Sequence, residues 1–561
     1  MHFKKINFIL IILLFYQSPL YSKSNSFSDF KSKNLSKYFS GIVAFENKDN
    51  SEALDFFNSS KILLNRHDPF LKRYVSSLVL EKKISVAINV IKKNIGKNNI
   101  SFFDAYLLLI IDSLKKDDLN KAYNYLSDAS EFAQQGRFNL AILESLKQYI
   151  YVFKEKKILD NKKIFGNLSI ISETFQRCYL GDLKTDAYFS NLINNNETDF
   201  TRYTYFYLSY LTENNRIDDA KKITDDINFI NTTLLLSQGK SWIENGDAQK
   251  FNEVFSCKNH NDVISEFLFL VSNIYSTQDD FEKSNFYLNL SNFLNPKFIF
   301  NSSLVAENHY LNKDYEKAKK TLKKFKKEDN FYYWYRLKKE AQIIEKQRNK
   351  KESLNYIIYN FSKIEEPNEK ILFDIANFYK NSKKYEEAIK YYSRIIDTLD
   401  NSPEIKSDLL YRRGGSYERI KNYDEADEDL LHSLKINPDD AYVLNYLAYS
   451  WLERDYRIDE AIKMLETAYA SKSDDPYIID SIGWAYYLVN DYLKAEKFLK
   501  TAVQLMPNDP IVNDHYGDIL WKLNRKIQAR YFWANVLKMD DAEEEMIEKI
   551  NTKMSEGLKK S

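Results

Sequence analysis

A unit of about 34 residues recurs in phase along this chain, and no other feature constrains its fold as tightly. From Pro476 the order is Ile482-Gly483, Tyr486, Ala495, Leu499, Ala502 and Pro507. One period later Tyr516-Gly517, Leu520, Ala529, Trp533 and Val536 fall on the same slots. A large–small pair, a bulky residue, then small and apolar residues at helical spacing describe two helices joined by a tight turn. The small positions mark where the two helices cross closely, and the large ones fill the space between successive pairs. One pair buries too little apolar surface to stand alone, so neighbours must stack. Segments such as Asn437-Pro438-Asp439 and Pro507-Asn508-Asp509-Pro510 stop one helix and open the next.

The register extends backwards. The repeat from Ala441 has Leu447-Ala448, Trp451, Ala461, Leu465 and Ala468, with one extra turn residue near Tyr456-Arg457. The repeat from Ser407 has Gly414, Tyr417, Ala426, Leu430 and Pro438; that from Glu369 has Ile375-Ala376, Tyr379, Ala388 and Tyr392. Weaker repeats start near Ser265, Ile299 and Trp334, with small slots at Ser272 and Ser284, Ala306 and Ala318, Ala341 and Ser353. Residues 265–543 are thus expected to hold eight repeats. Residues 34–136 repeat too, with Ala53, Ala87 and Ala122 in the second-helix small slot and Gly41 and Phe57 supporting the first. Between 137 and 264 the period blurs into irregular helical pairs around Leu208, Ala220 and the Trp242–Ala248 stretch. Residues 544–561 carry an apolar stripe of Met546, Ile547, Ile550 and Met554, which predicts a capping helix.

Glycine (12) and proline (9) are scarce, as helices joined by short turns require, and most of the 42 tyrosines and 37 phenylalanines are expected as filling between repeats. Basic and acidic residues balance at 81 against 80, which argues against a dedicated nucleic-acid binder. The lysine pairs at 319–320, 323–324 and 326–327, and the acidic run Asp424, Glu425, Asp427, Glu428 and Asp429, read as solvated helix faces. His2, Lys4 and Lys5 precede an apolar run from Phe8 to Tyr16, broken at Ser18-Pro19 and followed by Leu20-Tyr21-Ser22. That is the pattern of a secretory signal over residues 1–22, with a linker over 23–33, and the run is too short to span a bilayer. No cysteine sits near the cut to carry a lipid. Cys178 and Cys257, the two cysteines, either pair in an oxidising compartment or remain buried thiols.

No catalytic constellation is found, and no cofactor or metal is expected. Ser237-Gln238-Gly239-Lys240-Ser241 resembles the end of a phosphate loop, but Leu234 stands where its first glycine belongs. Cys257 with His260 is half a metal spacing without a second half. His309 falls on a slot that Tyr379 and Tyr417 fill elsewhere and reads as packing.

The repeat pattern resembles the tetratricopeptide repeat (TPR) family. That resemblance implies an all-α, right-handed superhelical solenoid of antiparallel helix pairs, with a concave wall made by the first helix of each pair. In that family the second, fifth, sixth, ninth, twelfth and thirteenth positions face the groove. Carried over, they are Tyr411, Arg412 and Arg419; Tyr442, Asn445, Tyr446 and Tyr449; Tyr477, Asp480, Trp484 and Tyr487; and Asp514, His515, Asp518 and Trp521. Aromatics flank a polar ladder of Asn445, Asp480 and Asp514, suited to an extended, neutral-to-basic segment of a protein partner. The stretches Asp475–Leu537 and Tyr38–Leu64 also look like those of exported proteobacterial TPR proteins, including periplasmic and outer-membrane adaptor lipoproteins. The expected function is a non-enzymatic periplasmic scaffold, peripheral to the outer membrane, that presents envelope proteins to a processing protease or an assembly machine. The alternative is a structural part of an outer-membrane export or polysaccharide-secretion complex.

Overall fold

The computed structural model describes residues 31–64, 68–95, 100–194, 201–225, 227–230, 232–328, 330–399, 403–539 and 542–558; the expected signal peptide and most of the linker lie outside them. The chain divides into two compact units. Unit 1 comprises Met1–Ile227 and Thr232–Arg336, and unit 2 comprises Asn228–Asn231 and Leu337–Ser561. Every regular element among the described residues is a helix, so the expected all-α fold of helix pairs is the one observed.

Unit 1 holds α1 (Ser32–Glu46) and α2 (Asn50–Ser59), α3 (Asp68–Leu80) and α4 (Ile84–Lys92), α5 (Phe103–Lys115) and α6 (Leu119–Ser130). The irregular middle follows as α7 (Asn139–Glu155), α8 (Asn167–Leu180), α9 (Thr185–Ile193), α10 (Thr201–Glu213), α11 (Ile217–Asp225), α12 (Leu234–Glu244) and α13 (Gln249–Val254). Regular pairs resume with α14 (His260–Ser276) and α15 (Phe281–Leu294), then α16 (Asn301–Leu311) and α17 (Tyr315–Leu322). The division between units falls inside α18 (Asn330–Gln347), which pairs with α19 (Lys350–Phe361). Unit 2 continues with α20 (Glu369–Asn381) and α21 (Tyr385–Ile396), α22 (Pro403–Arg419) and α23 (Tyr423–Ile436), α24 (Ala441–Glu453) and α25 (Ile458–Ser471). It ends with α26 (Pro476–Leu488) and α27 (Tyr492–Leu505), α28 (Pro510–Lys522) and α29 (Lys526–Val536), and α30 (Glu544–Glu556).

The turn inside most pairs is built one way. Lys48, Lys82, Asp117, Asn215, Asp279, Lys313, Lys383, Lys421, Asn490 and Asn524 all take a left-handed backbone conformation, with φ between 58° and 63°. A single such residue reverses the chain in minimal length, at modest cost. In four of these turns the next residue is an aspartate that caps the second helix: Asp49 accepts from the Glu52 amide, Asp118 from Lys121, Asp280 from Lys283 and Asp491 from Lys494. The extra residue of the Ala441 repeat is absorbed by two left-handed residues, Asp455 and Arg457. The first helices start on aspartates as well: Asp440, Asp475 and Asp509 each accept two backbone amides, the last two ahead of a proline at the first helical position.

The small slots are small because the helices touch there. Ala53, Ala87, Ala122, Ala388, Ala426, Ala461, Ala495 and Ala529 have no exposed surface. A Cβ added to Gly483 would stand 2.8 Å from Leu499 Cγ, and one on Gly517 would stand 2.4 Å from Trp533 Nε1.

In the irregular middle, Cys178 of α8 and Cys257 are joined as a disulfide with Cα atoms 5.6 Å apart, which settles the two open readings of this pair. Nearby, Arg202 of α10 forms a bidentate pair with buried Glu266 of α14 at 2.8 and 2.7 Å, and its guanidinium lies 3.7 Å from the Phe269 ring centre. Burial pushes the Glu266 carboxyl up while Arg202 pulls it back. Ser237–Ser241 lies inside α12, where a Cβ on Gly239 would come within 3.1 Å of Phe251 and Tyr205; this glycine serves packing.

The linear register does not foretell how unit 1 closes. Asn289 of α15 donates to the carbonyls of Val79 and Leu80 at the end of α3, at 3.0 and 3.3 Å. Lys283 reaches Asp104 at 2.8 Å, and Lys115 donates to the Leu294 carbonyl at 2.8 Å. The N-terminal repeats therefore pack against α15, some 200 residues away, as well as against their chain neighbours.

Candidate partner-binding groove

The residues predicted to line a groove sit on α22, α24, α26 and α28, the first helices of four successive pairs. They do not act as one surface. Tyr411 meets Tyr446 edge to face at 5.8 Å. Arg412 pairs with Asp408 at 2.8 Å, and Arg419 lies 3.6 Å from Glu418. Tyr442 and Tyr477, at the second position of their repeats, are 51% and 59% exposed.

The centre is a polar and aromatic cluster. His515 Nδ1 is 2.8 Å from Asp480 Oδ2, both side chains being buried. Trp484 stacks on His515 with ring centres 4.0 Å apart and on Tyr487 at 4.6 Å, and its indole nitrogen donates to Glu453 at 3.2 Å. Tyr449 approaches His515 at 6.4 Å. Burial opposes the charge on His515, but Asp480, Asp514 and Asp518 outweigh it and raise its pKa above the ordinary 6.5.

The C-terminal end is closed by α30. Lys553 bonds Asp514 at 2.6 Å and Asp518 at 2.8 and 2.9 Å, and Trp533 Nε1 donates to Asp518 at 3.0 Å. Burial and then Asp514 push the Asp518 carboxyl up to about 6, against the pull of Lys553 and His515. Gly557 packs on Trp521, with Lys526 and Arg530 over that indole at 5.2 and 5.0 Å. Asp514, Asp518 and Trp521 are thus engaged by α29 and α30.

What remains open is a cleft of about 490 Å³ between α22, α24, α26 and the start of α28. Of the predicted residues it is lined by Arg419, Asn445, Tyr446, Tyr449, Tyr477 and Asp480. It also gathers residues not singled out from the sequence: Glu418, Tyr423, Ser450, Glu453, Arg454, Ser481 and Asp509. Glu418 and Glu453 stand at the twelfth and thirteenth positions of their repeats, so the family's own slot pattern held that signal. Tyr446 donates to Glu418 at 2.9 Å. Asn445 Oδ1, Ser450 Oγ and Asp480 Oδ1 are buried and have no hydrogen-bond partner.

Of the two charge runs expected as solvated faces, Lys320, Lys323, Lys324, Lys326 and Lys327 are exposed, as are Asp424, Glu425 and Glu428, but two acidic residues are placed otherwise. Asp429 is buried and bidentate with Arg413 at 2.7 Å, and Asp427 bonds Arg454 at 2.7 Å, because these positions face the neighbouring first helix. Lys320 and Lys324, with Lys48, Lys82 and Lys317, line a cleft of about 400 Å³ in unit 1, where His309 also sits. Burial, then Lys317 and Lys82, press the His309 pKa down to about 4. Among the described residues no cluster suited to a metal ion occurs, and no helix is long and apolar enough to cross a membrane.

Residues 369–398 and 407–440, which contain α20, α21, α23 and most of α22, match the tetratricopeptide repeat family. A TPR repeat-containing protein of Pseudomonas aeruginosa is 33% identical over 118 residues, covering 21% of this chain and 20% of the relative. The match thus spans a fifth of that relative's length. A TPR repeat-containing protein of Methanocaldococcus jannaschii is 26% identical over 465 residues, covering 75% of this chain and 70% of its own. Among solved structures, a tetratricopeptide repeat protein from Parabacteroides merdae is similar at 17% identity, over 52% of this chain and 99% of that one, with a TM-score of 0.35. TPR repeats serve as scaffolds for protein–protein interaction, and the second matched stretch supplies Glu418, Arg419 and Tyr423 to the cleft.

Proposed function

We propose that this chain is a non-catalytic TPR scaffold whose cleft in unit 2 captures an extended segment of a partner protein. The observation that carries this reading is that three residues with unpartnered buried polar atoms, Asn445, Ser450 and Asp480, line one cleft together with Tyr446, Tyr449 and Tyr477. Buried polar groups without partners are uncommon in folded proteins, and aromatic anchors around them are the composition of an interface hot spot. His515 holds Asp480, and Trp484 donates to Glu453, from behind, so these two cleft carboxylates are organised before a partner arrives.

The setting we propose is the cell envelope. The basic head, apolar run and cleavage-like segment of residues 1–22 support export, and the Cys178–Cys257 disulfide suits an oxidising compartment. There the scaffold holds envelope proteins for a processing protease or an assembly machine, peripheral to the outer membrane.

The test is a capture experiment with residues 23–561 as bait in envelope extract, beside a Tyr442→Ala/Tyr477→Ala variant. Both side chains are exposed, so their loss leaves the fold intact. The reading predicts a partner that is retained by the native chain and lost with the variant. Equal retention by both baits contradicts the groove, and recovery of the native protein from the cytoplasmic fraction contradicts the export.

A further inference from the structure

Three residues that line the unit 2 cleft carry buried atoms that ask for the same kind of partner. Asn445 Oδ1, Ser450 Oγ and Asp480 Oδ1 are each buried without a hydrogen-bond partner. Leaving one such atom unsatisfied costs about 1–3 kcal/mol, so three in one place mark a site that is completed from outside. Asp480 is only 5% exposed, and its other oxygen is fixed by His515 at 2.8 Å, so the carboxylate cannot turn away to find water. Two of the three atoms are acceptors and the third is a hydroxyl that can accept. The missing component is therefore a group rich in donors.

Charge narrows the choice. Glu418, Glu453, Asp480 and Asp509 face the cleft against Arg419 and Arg454, with His515 behind Asp480. Arg454 is committed to Asp427 at 2.7 Å and to the Ser450 carbonyl at 3.0 Å. Arg419 is largely exposed beside Glu418. The side walls are the rings of Tyr446, Tyr449 and Tyr477, whose faces favour a weakly hydrated cation.

We propose that this cleft binds the guanidinium of an arginine side chain presented by the partner segment. The inference rests on the peptide-groove reading and specifies its ligand. An ammonium offers three donors around a point, whereas a guanidinium offers five in a flat fork. The acceptors sit on two helices, Asn445, Ser450 and Glu453 on α24 and Asp480 on α26, so a planar fork can bond an acceptor on each helix while stacking on tyrosine. The buried carboxylate then gains a charge-assisted partner, the strongest class of hydrogen bond available to it.

The probe is the peptide acetyl-Gly-Ser-Arg-Ser-Gly-amide, compared with twins carrying citrulline or lysine at the centre. Binding to the full chain is read by saturation-transfer NMR, which suits weak ligands of a large protein. The expected result is saturation of the arginine side chain and an affinity about tenfold above that of the citrulline twin. Glu453→Gln and Asp480→Asn, each checked for unchanged circular dichroism, bring the arginine peptide down to the citrulline level. Should Asp480→Asn disturb the fold through His515, Glu453→Gln and Ser450→Ala carry the test. Equal binding of arginine and citrulline peptides, or of arginine and lysine peptides, overturns the guanidinium assignment while leaving a peptide groove in place. Absence of binding by all three peptides also overturns it, and the groove itself is then judged by cross-linking from position 477.

Discussion

Trp484 and His515 lie face to face, ring centres 4.0 Å apart and 13° from parallel, although they belong to different repeats. His515 is fixed in turn by Asp480 of the same helix as Trp484, so one imidazole joins α26 to α28 through a stack and a charged hydrogen bond. Through Asp480, which lines the open cleft, this joint connects the cleft to α28, whose Asp514 and Asp518 are held by Lys553 of the C-terminal cap.

The joint makes unit 2 sensitive to pH. His515 has a folded-state pKa above its unfolded 6.5, because nearby carboxylates outweigh burial. The folded state therefore binds the proton more tightly, and this stabilisation is full below pH 6.5 and lost as pH rises through the raised value. Asp518, raised from 3.8 to about 6, acts with the same sign over a lower window. The thermal midpoint of the native chain is expected to fall as pH rises past about 6, where Asp518 and then His515 lose their protons, and His515→Gln to flatten that slope above pH 6.5. An unchanged slope in His515→Gln would remove the histidine from this account.

Close crossing of helices predicts intolerance of even one methyl group. A Cβ at position 517 would lie 2.4 Å from Trp533 Nε1, which also donates to Asp518. Gly517→Ala is expected to cost about 1–3 kcal/mol by denaturant titration. A control at Gly181, whose surroundings are open but whose φ is +65°, should lose stability through backbone strain alone, without disturbing the near-ultraviolet signal of Trp533.

The disulfide closes a long loop, Cys178 and Cys257 being 79 positions apart in sequence. Chain-entropy arguments assign such a loop about 4 kcal/mol. Cys178→Ser/Cys257→Ser is expected to lower the stability of unit 1 by that order. Alkylation of the unreduced native protein in denaturant should label neither cysteine; labelling of both would contradict the bond.

How much of this was legible in the sequence follows from what a repeat encodes. Gly483, Gly517 and the alanine slots specify contacts within a pair and with the next pair, so the helix-pair architecture could be read directly. Period says nothing about chain segments distant in sequence. Asn289 reaching Val79, and Arg202 reaching Glu266, belong to that class. Slot positions also could not tell open groove from occupied groove. Asp514 and Asp480 hold the same repeat position, yet Lys553 of α30 takes the first while one oxygen of the second is left without a partner. Likewise Asp429 reads as one more surface carboxylate until Arg413 is seen beside it.

The most direct test of the central claim places a photo-cross-linking benzoylphenylalanine at position 477 or at position 531 in cells that make this protein. Tyr477 lines the cleft and Tyr531 sits on α29 outside it, and both are exposed, at 59% and 63%. The account predicts a covalent adduct with a partner protein from position 477 and none from position 531. Adducts from position 531 alone, or equally from both, would contradict a partner-binding cleft in unit 2.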